Sequence, residues 1–300
     1  MYRELSRSGV SEDIARELHN LGDTYKAVGQ YSNADEYYKQ ALAMYRKLSQ
    51  SGISKDVADT LVYVGIIKHS MKQYDQAIKR HREALSVCNK LSGDEASQGA
   101  AGALHHVAYN YKAIGQYSDV EEYYKQALVL YRELSQNGVS ESVACVLSSL
   151  GNHYNAVVQY SDSEEYHKQA LIMYRESSQS GVSEDIARTL QNLAVDYQYM
   201  GQYSDAEDYY KQSLAVRKQL SQSCVSEGFA EILNNMGTCY QAMEQYRDAE
   251  DYYKQALATS RILSQSGNSE DIADTLCNLG MNYQGEEQYS DAEDYYQACD

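Results

Sequence analysis

A chain of 300 residues with a net charge of −17 and an isoelectric point near 4.8 has no basic stripe with which to replace the counterions of nucleic acid or of an anionic membrane. Proline is absent, against a usual share of roughly 5%, so nothing in the composition forbids long helices. No apolar run approaches the roughly 20 residues needed to span a bilayer, and Met1-Tyr2-Arg3-Glu4-Leu5 is not the start of a signal peptide. A soluble, cytoplasmic protein with no membrane insertion is expected. Its six cysteines, Cys88, Cys145, Cys224, Cys239, Cys277 and Cys299, form no CxxC pair, and they are expected to be free thiols of a reducing compartment.

One unit is repeated along the whole chain. Tyrosine stands at positions 31, 74, 117, 160, 203, 246 and 289, a spacing of 43 throughout, and a fixed period of this size marks a stacked array. The repeats run 11–53, 54–96, 97–139, 140–182, 183–225, 226–268 and 269–300, the last incomplete. Residues 1–10 match Met44 to Ile53 and so are expected to be the end of a preceding second helix. With no composition break, 1–300 is expected to be a single solenoid domain. Neither end has a polar cap, and an excerpt of a longer array or larger protein is expected.

Each half of the unit has helical periodicity. In the first copy Ile14, Leu18, Leu21, Tyr25 and Val28 make one apolar stripe, here termed helix A. Ser11 is the expected N-cap, with Ser54, Ser97, Ser140, Ser183, Ser226 and Ser269 in register, and Glu12 and Asp13 favour the helix dipole. Gly29-Gln30 ends helix A. Asn33 through Leu48 forms helix B, with Ala34, Tyr37 or Tyr38, Ala41, Leu42 and Tyr45 inward, closed by Ser51-Gly52. Gly22, Gly65, Gly151, Gly237 and Gly280 share one mid-helix register, where Gly costs about 1 kcal/mol. Close approach of helix B is expected to offset that cost. In the third copy helix A is expected to begin poorly, at Gly99-Ala100-Ala101-Gly102, making this junction the place to flex.

The order Leu21-Gly22, Tyr25, Ala34, Tyr38 and Ala41, repeated down to Leu279-Gly280, Tyr283, Ala292 and Tyr296, resembles the tetratricopeptide repeat along the entire chain. With its longer period, Asp-Ile-Ala start and extended helix B it is most similar to kinesin light chain and nephrocystin arrays. It departs from them where a Pro normally follows the Ser before helix A. The resemblance implies an all-α fold, a right-handed superhelical solenoid of antiparallel helix pairs, whose concave face is lined by helix A.

On that face the first copy is expected to place Arg16, His19, Asn20, Asp23 and Lys26. Later copies are amide-rich: Ser148, Ser149, Asn152 and Asn155; Gln191, Asn192 and Gln198 with Tyr199; Asn234, Asn235 and Gln241; Asn278 and Gln284. Amides offer donor and acceptor together, which suits holding a peptide backbone. The expected peptide-binding set is therefore Asn20, Asn152, Gln191, Asn192, Gln198, Tyr199, Asn234, Asn235, Gln241 and Asn278. The clamp by which related domains grip chaperone tails is absent, because the second and third copies offer Asp59, Tyr63, Ile66, Gly102, His106 and Tyr109 instead.

Lys68 replaces a core Tyr, and Lys79-Arg80-His81-Arg82 is a basic run expected on the outer face, either solvated or in contact with an acidic segment. After Arg261 no Lys or Arg follows, and the acidic residues there are expected to be caps and outer surface. His69, His105 and His106 come near one another on neighbouring A helices without ligand-spaced Cys or carboxylate, so no metal site is expected. With no phosphate loop, strand or Cys–His pairing, no cofactor and no catalytic residues are expected. Two functions remain. The first is an adaptor that binds a protein or peptide partner in its groove, as the likeness to kinesin light chain arrays implies. The alternative is a regulatory or sensor arm of a larger signalling enzyme such as an ATPase, acting in cis on flanking domains.

Overall fold

The computed structural model describes residues 11–49, 51–135, 138–178, 181–220, 227–263 and 270–299. Within them are fourteen α-helices and no strand. The expected caps Ser226 and Ser269, and the opening 1–10, lie outside the described residues. The helices, in chain order, are α1 (Glu12–Ala27), α2 (Tyr31–Leu48), α3 (Lys55–Ser70), α4 (Tyr74–Cys88), α5 (Asp94–Ala113), α6 (Val120–Leu134), α7 (Glu141–Ala156), α8 (Tyr160–Ser177), α9 (Glu184–Tyr199), α10 (Tyr203–Leu220), α11 (Glu227–Ala242), α12 (Tyr246–Leu263), α13 (Glu270–Gly285) and α14 (Tyr289–Cys299). Odd numbers are A helices and even numbers B helices. Two compact units result, Met1–His153 and Tyr154–Asp300. In the first, α1/α2, α3/α4 and α5/α6 are hairpins, and α2 packs on α3 and α4 on α5. In the second, α9/α10, α11/α12 and α13/α14 repeat the arrangement. Both units are all-α stacks of antiparallel helix pairs.

The serine caps start most A helices. The hydroxyls of Ser11, Ser54, Ser140 and Ser183 accept from the backbone N–H of Ile14, Val57, Val143 and Ile186 at 3.1 to 3.3 Å, each worth about 1 kcal/mol. The third copy corrects the expectation. Helix α5 begins at Asp94, ahead of Ser97, and runs unbroken through Gly99 and Gly102. Gly93 takes a left-handed φ of 98° and releases the chain into the helix early, while Asp94 and Glu95 sit at its positive end.

Every A helix leaves through the same left-handed residue. Gly29, Lys72, Gly115, Val158, Gly201, Glu244 and Glu287 have φ between 58° and 75°. Only three of the seven are glycine, so the turn is imposed by the packing of the two helices it joins rather than by local preference.

The mid-helix glycines are explained by rings. A Cβ on Gly22 would lie 2.7 Å from the Tyr38 ring, and one on Gly65, Gly237 or Gly280 would come as close or closer to His81, Tyr253 or Tyr296. Tyr38, His81 and Tyr253 are completely buried. A second pair of tyrosines stacks within a hairpin: Tyr25 with Tyr37 and Tyr111 with Tyr123 in the first unit, Tyr154 with Tyr166, Tyr197 with Tyr209, Tyr240 with Tyr252 and Tyr283 with Tyr295 in the second. Their centroids are 5.1 to 5.8 Å apart, the offset geometry aromatic pairs favour.

One bond recurs between successive repeats. The Tyr197 hydroxyl donates to Glu164 at 2.7 Å, and Tyr240 and Tyr283 donate likewise to Glu207 and Glu250. Lys168, Lys211 and Lys254 pair with the same three glutamates from one helical turn further on.

Candidate interaction surfaces

The amide row lies on α9, α11 and α13, which neighbour one another in the second unit. Asn192, Asn235 and Asn278 stand in register on these helices and are half-buried. Asn278 donates to the Asn234 side-chain oxygen at 3.1 Å, which joins two repeats.

Several other expected groove residues serve the core. Gln191 is buried, and its side-chain oxygen accepts from Arg217 at 3.1 Å. Gln198 and Gln241 accept from the hydroxyls of Tyr210 and Tyr253 at 2.8 and 2.7 Å, as Gln284 does from Tyr296 at 2.9 Å. These glutamines satisfy the one polar atom of an otherwise apolar ring. Tyr199 is 60% exposed and stacks on Tyr160 at 4.9 Å. In the first unit, Asn20 is exposed, and the carbonyl of half-buried Asn152 accepts from Lys112 at 2.7 Å.

Outside the row, the basic run is largely absorbed. His81 is buried, Arg80 pairs with Glu83 at 3.0 Å, and Arg82 donates to the hydroxyls of Tyr111 and Tyr123 at 2.6 and 3.2 Å. Lys79 is exposed. The histidines do gather: His81 stacks on His106 at 4.9 Å, and His105 lies 5.7 Å from His106. Their neighbours are hydrogen-bond partners, with His69 on Asn110 and His105 on Ser149, both at 2.9 Å. Among the described residues no three or more His, Cys, Asp or Glu converge to hold a metal. Burial, then the neighbouring histidines, push His81 down to about 2 and His105 to about 3, and His106 falls to about 4 through burial and His69. All three rings are neutral at pH 7.

Two buried polar constellations escape the repeat pattern. Lys68 donates to Asp35 at 2.9 Å with both side chains buried. Asp196, completely buried, accepts from Asn155 at 2.8 Å and Ser163 at 2.7 Å and meets His167 at 2.6 Å. Aligning the copies reveals the signal for both, since Lys68 and His167 each occupy a tyrosine register.

The cysteine expectation is corrected at one place. Cys277 on α13 and Cys299 on α14 are joined by a disulfide, while Cys88 and Cys239 are free thiols and Cys224 lies outside the described residues. Antiparallel pairing of the last two helices brings together thiols that are 22 residues apart in sequence. Among the described residues no helix is long and apolar enough to cross a membrane.

Helix pairs with small residues under stacked rings, repeated in register, define a helical-repeat protein. Tetratricopeptide repeat profiles match residues 18–51, 56–133, 142–219 and 228–299, and the chain belongs to the tetratricopeptide repeat family. The structure is similar to the nearly identical TPR-like repeats of a putative kinesin light chain from Podosopora anserina, with a TM-score of 0.54 and 20% identity over 69% of this chain and 97% of that one. It is similar to the TPR-sensor STAND protein PH0952 from Pyrococcus horikoshii, with a TM-score of 0.73 and 13% identity over 96% of this chain and 42% of that one. It is also similar to the Rap conjugation gene regulator of plasmid pLS20, solved in complex with the Phr* peptide, with a TM-score of 0.61 and 18% identity over 93% and 70%. A search of curated proteins returned no match.

Proposed function

We propose that the chain is a non-catalytic adaptor that holds a peptide segment of a partner protein on its A-helix faces, with Asn192, Asn235 and Asn278 as the backbone-binding row. The observation that supports this is their register: three half-buried amides on three neighbouring helices, one per repeat. Each adds donors and acceptors to a peptide that would otherwise lose water without compensation. Asn234, linked to Asn278, fixes the row's spacing, and Tyr199 adds an exposed ring. Asn20 stands in the register of the row in the first unit, and Asn152 lies one helical turn beyond Ser149, which holds that register in the fourth copy. The peptide-bound Rap regulator supports the reading by likeness of fold.

A screen of the recombinant chain against a diverse peptide library tests it, beside the triple variant Asn192→Ala, Asn235→Ala, Asn278→Ala. Ligands that bind the parent and are lost in the variant, with unchanged helical content and melting, are expected. Absence of ligands, or equal binding by the variant, sinks the proposal. A second reading, a sensor arm acting on a larger signalling enzyme, draws on the likeness to the STAND sensor, and an NTPase domain encoded in the same gene would favour it.

A further inference from the structure

Within the first unit α3 and α5 differ from α1 in the registers of its first turn. In α1 and α9 an arginine stands three residues after a first-turn aspartate and pairs with it, Arg16 with Asp13 and Arg188 with Asp185. In α3 the same two registers hold Asp56 and Asp59, and in α5 they hold Gly99 and Gly102. Two carboxylates therefore occupy positions where the first and fifth copies hold an acid and its cation, as Asp271 and Asp274 do in the seventh. The neighbouring helix offers no side chain there.

Between α3 and α5 this leaves an open cleft of about 470 Å³, lined in part by Asp59, Tyr63, Glu95, Gly102, His106 and Tyr131. Gly102 keeps it open, since a Cβ there would meet only the Tyr131 hydroxyl, at 3.4 Å. The cations nearby already have partners: Lys55, which also lines the cleft, pairs with Glu95 at 3.1 Å, and Arg16 is held by Asp13. Asp59 is half-buried and, among the described residues, has no ion-pair partner within 4 Å. Burial pushes its carboxyl up, against the pull of Lys55, so the ionised form gains from any cation brought to it. His106, held neutral by its own burial, presents a flat ring that does not repel positive charge.

We propose that the α3–α5 cleft binds an arginine side chain of a partner peptide, its guanidinium pairing with Asp59 and lying against the ring of His106. Arginine suits the cleft better than lysine, because a planar fork satisfies a carboxylate through two parallel bonds and stacks on a ring at the same time. The incoming group supplies from outside the positive charge that the chain's own arginine brings to this turn of α1 and α9. This inference rests on the peptide-adaptor reading but uses different helices from the amide row.

The test selects ligands for the full chain from a random decapeptide library and measures each by titration calorimetry against the parent, Asp59→Asn, Gly102→Leu and the triple Asn→Ala variant, all checked for unchanged thermal melting. Selected peptides should share an arginine whose replacement by glutamine weakens binding, and Asp59→Asn should weaken it roughly tenfold or more. Gly102→Leu, which keeps the carboxylate and fills the cleft, should do the same. Should Asp59→Asn fail to fold, Gly102→Leu decides alone. Ligands without an arginine preference, or ligands indifferent to both substitutions, overturn the inference. If those ligands still fail with the triple variant, the adaptor reading stands without it, whereas a library that yields no ligand sinks both.

Discussion

Lys68 and Asp35 meet at 2.9 Å in the register where Tyr197 meets Glu164 and Tyr240 meets Glu207. A neutral hydroxyl-to-carboxylate contact has become a buried ion pair, with Lys39 as the second cation on the same carboxylate. Removing Lys68 leaves the buried carboxylate to Lys39, whose own side chain is half exposed. Lys68→Met is expected to lower unfolding free energy by about 3 kcal/mol, read from urea denaturation. Lys68→Tyr restores the hydroxyl found in the other copies and should cost much less. Equal losses from both substitutions would show that the charge itself is required.

Val158 takes φ 65° at the turn where Gly29, Gly115 and Gly201 stand in register. A β-branched residue is strained there. Val158→Gly should stabilise the fold by about 1 kcal/mol, and Gly201→Val should destabilise it by a similar amount. Differential scanning calorimetry of the pair should show shifts of opposite sign.

The histidine cluster predicts acid sensitivity. His81, His105 and His106 titrate near 2, 3 and 4 when folded, against 6.5 for the free side chain. Below 6.5 the unfolded chain takes up protons that the folded one refuses, so stability is fully present above that pH and is lost as pH falls beneath it. Each histidine should contribute a loss on the order of 1–2 kcal/mol by pH 5. His81→Tyr places over Gly65 the ring that Tyr38 places over Gly22, and it should flatten the pH dependence between 6.5 and 5 in urea titrations.

Asp196 gathers three side chains, half-buried Asn155 and buried Ser163 and His167. Asp196→Asn is expected to cost about 3 kcal/mol. In the next copy the equivalent pair is Tyr210 with Cys239, both completely buried. The double substitution His167→Tyr, Asp196→Cys should therefore recover part of the loss of its singles, with a coupling energy above about 1 kcal/mol in a denaturation cycle.

Much of the fold was legible because every feature is stated seven times. A serine ahead of an apolar stripe and a glycine facing a tyrosine need no three-dimensional knowledge once the copies are aligned. The surface was harder. Asn192 and Gln198 both read as groove residues, yet Gln198 is turned to Tyr210. The difference is a matter of helix rotation, about 100° per residue, which no polarity pattern resolves. Cys277 and Cys299 have no counterparts in the other copies, so periodicity could not pair them. The early start of α5 depended on Gly93 taking a left-handed turn, and the serine at its usual register concealed it.

The tyrosine-to-glutamate contact between successive copies also bears on how such a gene can change. Because it joins the same two registers at each boundary it bonds, a whole 43-residue cassette could be lost or duplicated by unequal recombination and the new neighbours would still recognise each other. The second copy is the exception. It brings Lys68, which needs an acid before it, and Ile78, which offers the following Tyr111 no acceptor, so Arg82 holds that hydroxyl instead. Placed ahead of another copy that began with a lysine, it would leave two cations facing each other. Its place in the order is therefore inherited with its neighbours.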